Sequence, residues 1–157
     1  MDMDIDIGLS QEQRSTIADG LGRLLADTYV LYGKTHGFHW NVTGPHFRQL
    51  HLMFEEQYGQ LADAVDGIAE RIRSLDLPAP ATFDAFNAMK SIEDVSGVPT
   101  SDEMVGILAE NHQKVIKTAR KVLAVASSVS DEATADMATD RLDEHEKTAW
   151  MLRASTH

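Results

Sequence analysis

Apolar residues recur at helical spacing in four long blocks separated by turn-forming residues. In the first block Ile17, Leu21, Leu24, Leu31 and Phe38 share one face behind the capping box Ser10-Gln11-Glu12-Gln13, which predicts a helix A over about 11–38. Asn41-Val42-Thr43-Gly44-Pro45 reads as a turn, with Pro45 suited to the first position of a second helix. Helix B is expected over about 46–75. Its stripe of Phe47, Leu50, Phe54, Tyr58, Leu61, Val65, Ile68, Ile72 and Leu75 is nearly a heptad repeat. Leu77-Pro78-Ala79-Pro80 ends it, and the mixed stretch from Thr82 to Lys90 suits a short helix before the loop Gly97-Val98-Pro99. A second capping box, Thr100-Ser101-Asp102-Glu103, opens helix C over about 101–127, with Met104, Leu108, Val115, Val122 and Ala126 inward. Ser130-Asp131 signals the start of helix D, which runs to about Ala154 with Met137, Leu142, Ala149, Trp150 and Leu152 as expected core. Nothing between the blocks alternates as strands do. The pattern therefore predicts an all-α fold, a four-helix bundle with a short extra helix in the B–C connection.

A chain of 157 residues, 43% hydrophobic and 25% charged, is sized and composed for one folded domain. Residues 1–9 read as a short acidic extension of it. No apolar run approaches the roughly eighteen residues of a membrane span, and Met1-Asp2-Met3-Asp4-Ile5-Asp6 lacks the basic start of a signal peptide. The expected location is the cytoplasm, with no membrane partner. The absence of cysteine removes disulfides and thiolate ligands, so any metal must be held by His, Asp or Glu, ligands suited to iron, manganese or zinc. A formal net charge of −11 opposes nucleic acid at long range and favours cations.

Helix B carries His51, Glu55, Asp66 and Glu70 on one sector beside its apolar stripe. An acidic helix face is by itself ordinary; the spacing is what points to chemistry. His51 and Glu70 are nineteen residues apart, about 28 Å along a helix, so the two ends cannot hold one metal within a subunit. Positions 51 and 70 share their midpoint with 55 and 66. An antiparallel copy of helix B crossing there would set His51 beside Glu70 and Glu55 beside Asp66 of its mate. Gly59 and Ala62 share the same midpoint and are small enough for two backbones to approach. Arg48 would then face Arg73, which requires the helices to diverge at their ends or the arginines to find carboxylates. His39, at the end of helix A, can fold back across the turn to complete a His-His-Glu half-site. Imidazole and carboxylate without sulfur suit ferrous iron and its ferric product. No Glu-x-x-His occurs, although bundles holding two irons inside one subunit use that spacing.

At these residues the chain resembles the Dps family of ferritin-like proteins. The resemblance lies in Lys34-Thr35-His36-Gly37-Phe38-His39-Trp40-Asn41-Val42-Thr43-Gly44-Pro45-His46-Phe47, Leu50-His51, Phe54-Glu55 and Asp63-Ala64-Val65-Asp66-Gly67-Ile68-Ala69-Glu70-Arg71. It continues in His145-Glu146-Lys147-Thr148-Ala149-Trp150-Met151-Leu152-Arg153. It implies a dodecameric shell with ferroxidase sites at twofold interfaces, where hydrogen peroxide or oxygen turns ferrous iron into a stored ferric mineral. His39, His51 and Glu55 would come from one subunit and Asp66 and Glu70 from the other, with glutamate at 55 where many members have aspartate. Trp40 resembles the tryptophan beside the family's site, an electron donor to reactive oxidants or a buried anchor. His36 and His46 bracket the site as candidate accessory metal ligands or as exposed polar residues. Asp131, Asp136 and Asp140 fall where the family has acidic threefold pores for iron entry, although a helix start favours carboxylates in any case. The alternative function, compaction of DNA, rests in this family on a lysine-rich tail. Here the first twelve residues contain no lysine or arginine, and Ala154-Ser155-Thr156-His157 is nearly neutral.

Overall fold

Ser10 opens the first helix by accepting from the Gln13 backbone N–H at 3.1 Å, while the Gln13 side chain accepts from the Ser10 N–H at 2.9 Å. Thr100 and Glu103 repeat this reciprocal arrangement ahead of the fourth, so each cap satisfies donors that the first helical turn leaves unpaired. The computed structural model describes residues 3–156; Met1 and Asp2 of the acidic extension, and His157, lie outside the described residues. Five helices follow in order: α1 Gln11–Asn41, α2 Phe47–Ser74, α3 Phe83–Met89, α4 Ser101–Ser128 and α5 Glu132–Ala154. The four long ones are the bundle helices expected from the apolar blocks, and α3 is the short helix of the connection. Helix α1 runs three residues further than its stripe suggested, because Val42 still donates to the Phe38 carbonyl before the chain turns. Gly44 makes that turn at φ +115°, a conformation side-chain-bearing residues avoid.

Helix α1 packs against α2 and α4, α4 against α5, and α3 lies on α1. The core runs through Leu21, Leu24 and Leu31 of α1, Phe54 and Ile68 of α2, and Leu108 and Val115 of α4. Two expected core residues are instead outside: Phe47 is 44% exposed and Trp150 56% exposed. On α5 the inward stripe is Ala138, Arg141, Leu142, His145, Thr148, Ala149 and Leu152, so Trp150 stands about 100° from Ala149 on the outer side. Phe47, in the first turn of α2, lies flat against His51 instead of entering the core.

The long connection is tied down by polar groups. Asp27 is buried in α1 and accepts from the Ser91 backbone N–H at 2.6 Å, the Ser91 hydroxyl at 2.8 Å and the Thr118 hydroxyl at 2.7 Å. Lys34, also on α1, donates to the Glu93 carbonyl and the Asn111 side chain, each at 2.6 Å. Its burial pulls the ammonium pKa from 10.5 down to about 8. Among the described residues, no helix is long and apolar enough to cross a membrane.

Candidate metal centre

The sharp turn at Gly44 brings the last turn of α1 against the first turns of α2, which sets His39 and His51 face to face. Their rings stack with centroids 3.8 Å apart and planes 13° from parallel. Each ring also holds the other's backbone: His39 Nδ1 lies 2.7 Å from the His51 carbonyl, and His51 Nδ1 lies 2.7 Å from the His39 carbonyl. A carbonyl can only accept, so both Nδ1 atoms carry the proton, and in each neutral ring the Nε2 lone pair is free. A ligand histidine is oriented in this way, with one nitrogen bound to the backbone and the other available to a cation. His39 is buried and His51 half-buried. Tyr58 meets the His39 ring edge-on at 5.2 Å and Phe47 covers His51 at 5.0 Å, so the pair has little rotational freedom.

The carboxylates lie further along α2. Glu55, Asp66 and Glu70 are all exposed. Glu70 is held above the usual carboxyl range, first by a hydrogen bond with Asp66 and then by the repulsion of its charge. The two carboxyl groups, one turn apart, repel each other when charged, a repulsion that an arriving cation relieves. Among the described residues, no group of three or more His, Asp or Glu converges on a point within the chain. His39 and His51 come together, Asp66 and Glu70 come together, and the two pairs stay apart with Glu55 between them.

A model of the ferritin-like domain matches residues 18–156. The "DNA protection during starvation protein 2" of Bacillus anthracis is 36% identical over 138 residues, covering 88% of this chain and 94% of that protein. The chain belongs to the Dps family. An uncharacterized low temperature-induced protein of Nostoc is 39% identical over 152 residues, covering 96% of this chain and 85% of its own. The crystal structure of a Dps protein from Bacillus brevis superposes with a TM-score of 0.91 at 35% identity, covering 95% of this chain and all 100% of that one. The five-helix, all-α architecture is the ferritin-like Dps fold.

Within this Dps-family chain the remaining expected site residues are placed as follows. Trp40 is 63% exposed, its ring 4.1 Å from that of His36, so within one chain it is not a buried anchor. His36 is half-buried and packs on Tyr58 at 4.4 Å, while His46 is exposed at the head of α2. Asp131 is buried; it caps α5 and pairs with Arg71 at 3.0 Å. Asp136 and Asp140 are exposed.

A second polar cluster escaped the sequence reading. His112 of α4 and His145 of α5 meet inside the bundle with their Nδ1 atoms 2.8 Å apart, and Arg141 approaches His145 Nε2 at 3.2 Å. Burial keeps both rings uncharged, pulling His112 from 6.5 down to about 3 and lowering His145 well below its ordinary value. The signal was present in the sequence: Arg141 and His145 fall one turn apart among the apolar positions of α5.

Proposed function

We propose that this protein is a ferroxidase and iron-storing mini-ferritin, which oxidises ferrous iron at sites shared by two subunits and retains the ferric product within a closed shell of twelve. The crossed His39–His51 pair carries the reading, since two imidazoles locked through Nδ1 present two free Nε2 donors to a cation. The donor set completes only across a twofold axis: His39, His51 and Glu55 of one subunit with Asp66 and Glu70 of the partner subunit. Ferrous iron arriving there is attracted by the paired Asp66 and Glu70 carboxylates, whose mutual repulsion the cation offsets. Hard carboxylate oxygens favour the ferric state over the ferrous. With hydrogen peroxide as oxidant, two ferrous ions supply one electron each, and the O–O bond breaks to give two waters with two protons taken up. Oxygen is the alternative oxidant at the same site.

Trp40, beside His36 and outside the helix pair, is a source of an electron for any oxidant that leaves the site. His36 and His46 are candidates for an accessory metal, and Asp136 and Asp140 for the lining of an iron-entry pore. Asp131 contributes to such a pore only through the helix it caps. The cytoplasm is the proposed location. Protection of DNA, in the sense of the relatives' names, follows from removing iron and peroxide and requires no duplex contact. The expected result of a gel shift at low salt is no retention of duplex; a retained complex would instead assign DNA binding to a surface other than the acidic N-terminus.

The test is complementation. His51→Ala and Glu70→Ala each damage every composite site in a homo-oligomer, and each should lose most ferroxidase activity. When the two variants are unfolded and co-assembled, a mixed dimer regains one intact site, because the unaltered half of each chain meets the unaltered half of the other. Random pairing makes half the dimers mixed, so about a quarter of wild-type activity should return. A site confined to one chain has no intact copy in any mixture, and well-assembled mixed shells without recovery would sink the shared site.

A further inference from the structure

Three residues that line one small cavity between α2, α4 and α5 each carry a buried side-chain atom with no hydrogen-bond partner among the described residues: His112 Nε2, Arg141 Nε and Gln57 Oε1. Their residues are 2%, 9% and 5% exposed. Leaving such buried groups unpaired is costly, so a native bundle satisfies them. What can satisfy them follows from the direction of the hydrogen-bond chain that ends there.

Arg141 sets that direction. A guanidinium only donates, so the 3.2 Å contact from its Nη2 makes His145 Nε2 an acceptor. The proton of the neutral His145 ring must then sit on Nδ1, which donates across 2.8 Å to His112 Nδ1. His112 in turn carries its proton on Nε2 and presents an N–H to the cavity. The glutamate at 144 holds Arg141 from its other side through Nη1 at 2.7 Å, which leaves the Arg141 Nε–H also facing inward. The unpartnered atoms therefore offer the cavity two N–H donors and one carbonyl acceptor, beside the Gln60, Glu144 and Thr148 side chains that also line it, Glu144 being already engaged by Arg141. The two N–H donors oppose a metal cation, and the Gln57 oxygen and the Glu144 carboxylate oppose an anion. The space is about 10 Å³, near the lower limit for one water and too small for a larger solute.

We propose that this cavity is the binding site of a single internal water, which accepts from His112 Nε2 and Arg141 Nε and donates to Gln57 Oε1. Such a water joins α2 to α4 and α5 within a largely polar lining. Gln57 follows Glu55 by two residues on the opposite side of α2, so the water pins the back of the helix whose front bears the proposed iron ligands. The site stands whether or not the iron chemistry does.

High-resolution crystals of the assembled protein, grown in sodium bromide and measured at the iron, zinc and bromine edges, decide it. The expected result is one light-atom peak within hydrogen-bond distance of His112 Nε2, Arg141 Nε and Gln57 Oε1, with no anomalous signal at any edge. An anomalous peak in the cavity, no peak, or a direct His112–Gln57 hydrogen bond overturns the proposal. Gln57→Glu, which keeps an acceptor, should retain the peak, and Gln57→Leu should lose it. An unchanged peak in the leucine variant would overturn the role given to Gln57.

Discussion

His112 and His145 show what burial does to a single titratable side chain. Both are uncharged in the fold, His112 with its pKa lowered from 6.5 to about 3 by desolvation and by the nearby Arg141. Both folded values lie below the unfolded ones, so as pH drops below 6.5 the unfolded chain takes up protons that the folded chain refuses. This contribution to stability is complete above 6.5 and is lost progressively as pH falls toward 3. Urea midpoints measured from about pH 7.5 to 5 should fall on the acid side, on the order of 1 kcal/mol per pH unit for each histidine. His112→Gln should flatten the slope; an unchanged slope would attribute the acid sensitivity to carboxylates. His39 and His51 are instead tied to each other's backbone, each Nδ1 lying 2.7 Å from the other residue's carbonyl. Their residue type and place beside a Gly-Pro turn made them legible as ligands in the sequence. The reciprocal hydrogen bonds were not, since they depend on the angle at which α1 meets α2.

Among the elements, the four long helices were legible because each combines a start signal with a sustained apolar period. The capping boxes at Ser10 and Thr100 form as their residues imply. Legibility weakened where apolar character and inward direction parted. Phe47 covers a histidine ring, and Trp150 yields the inward face of α5 to Arg141, His145 and Thr148. The connection between α2 and α4 is held by Asp27, whose three accepted bonds join α1 to Ser91 and Thr118. Asp27→Ala orphans those donors in a buried place and should cost about 3 kcal/mol. For a chain of this length that corresponds to a melting temperature lower by about 6–12 °C. Limited proteolysis should then cut within residues 76–100 before it touches the long helices. A variant as stable and as resistant as wild type would show that the connection is held by its apolar contacts alone.

For the whole molecule, the decisive contact is the proposed crossing of two α2 helices at Gly59 and Ala62. A Cβ built on Gly59 meets nothing within 4 Å in its own chain, so an added side chain there is tolerated by the subunit and obstructs only a neighbour. Gly59→Leu or Ala62→Phe should therefore leave the helix content intact while weakening the dimer by about 1–3 kcal/mol. Sedimentation velocity would register the smaller species; unchanged shells with unchanged iron uptake in both variants would place the crossing elsewhere. The sequence by itself determined the helices, their caps, the lack of thiolate ligands and the symmetric spacing of His51, Glu55, Asp66 and Glu70. All of these are local or periodic properties, readable from residue type and 3.6-residue geometry. Tertiary structure alone decided which polar side chains turn inward and what they touch. His112 finds His145 across 33 residues, and Arg71 takes Asp131 across 60. Such partners are chosen by how whole helices pack, and no local period in the chain specifies them.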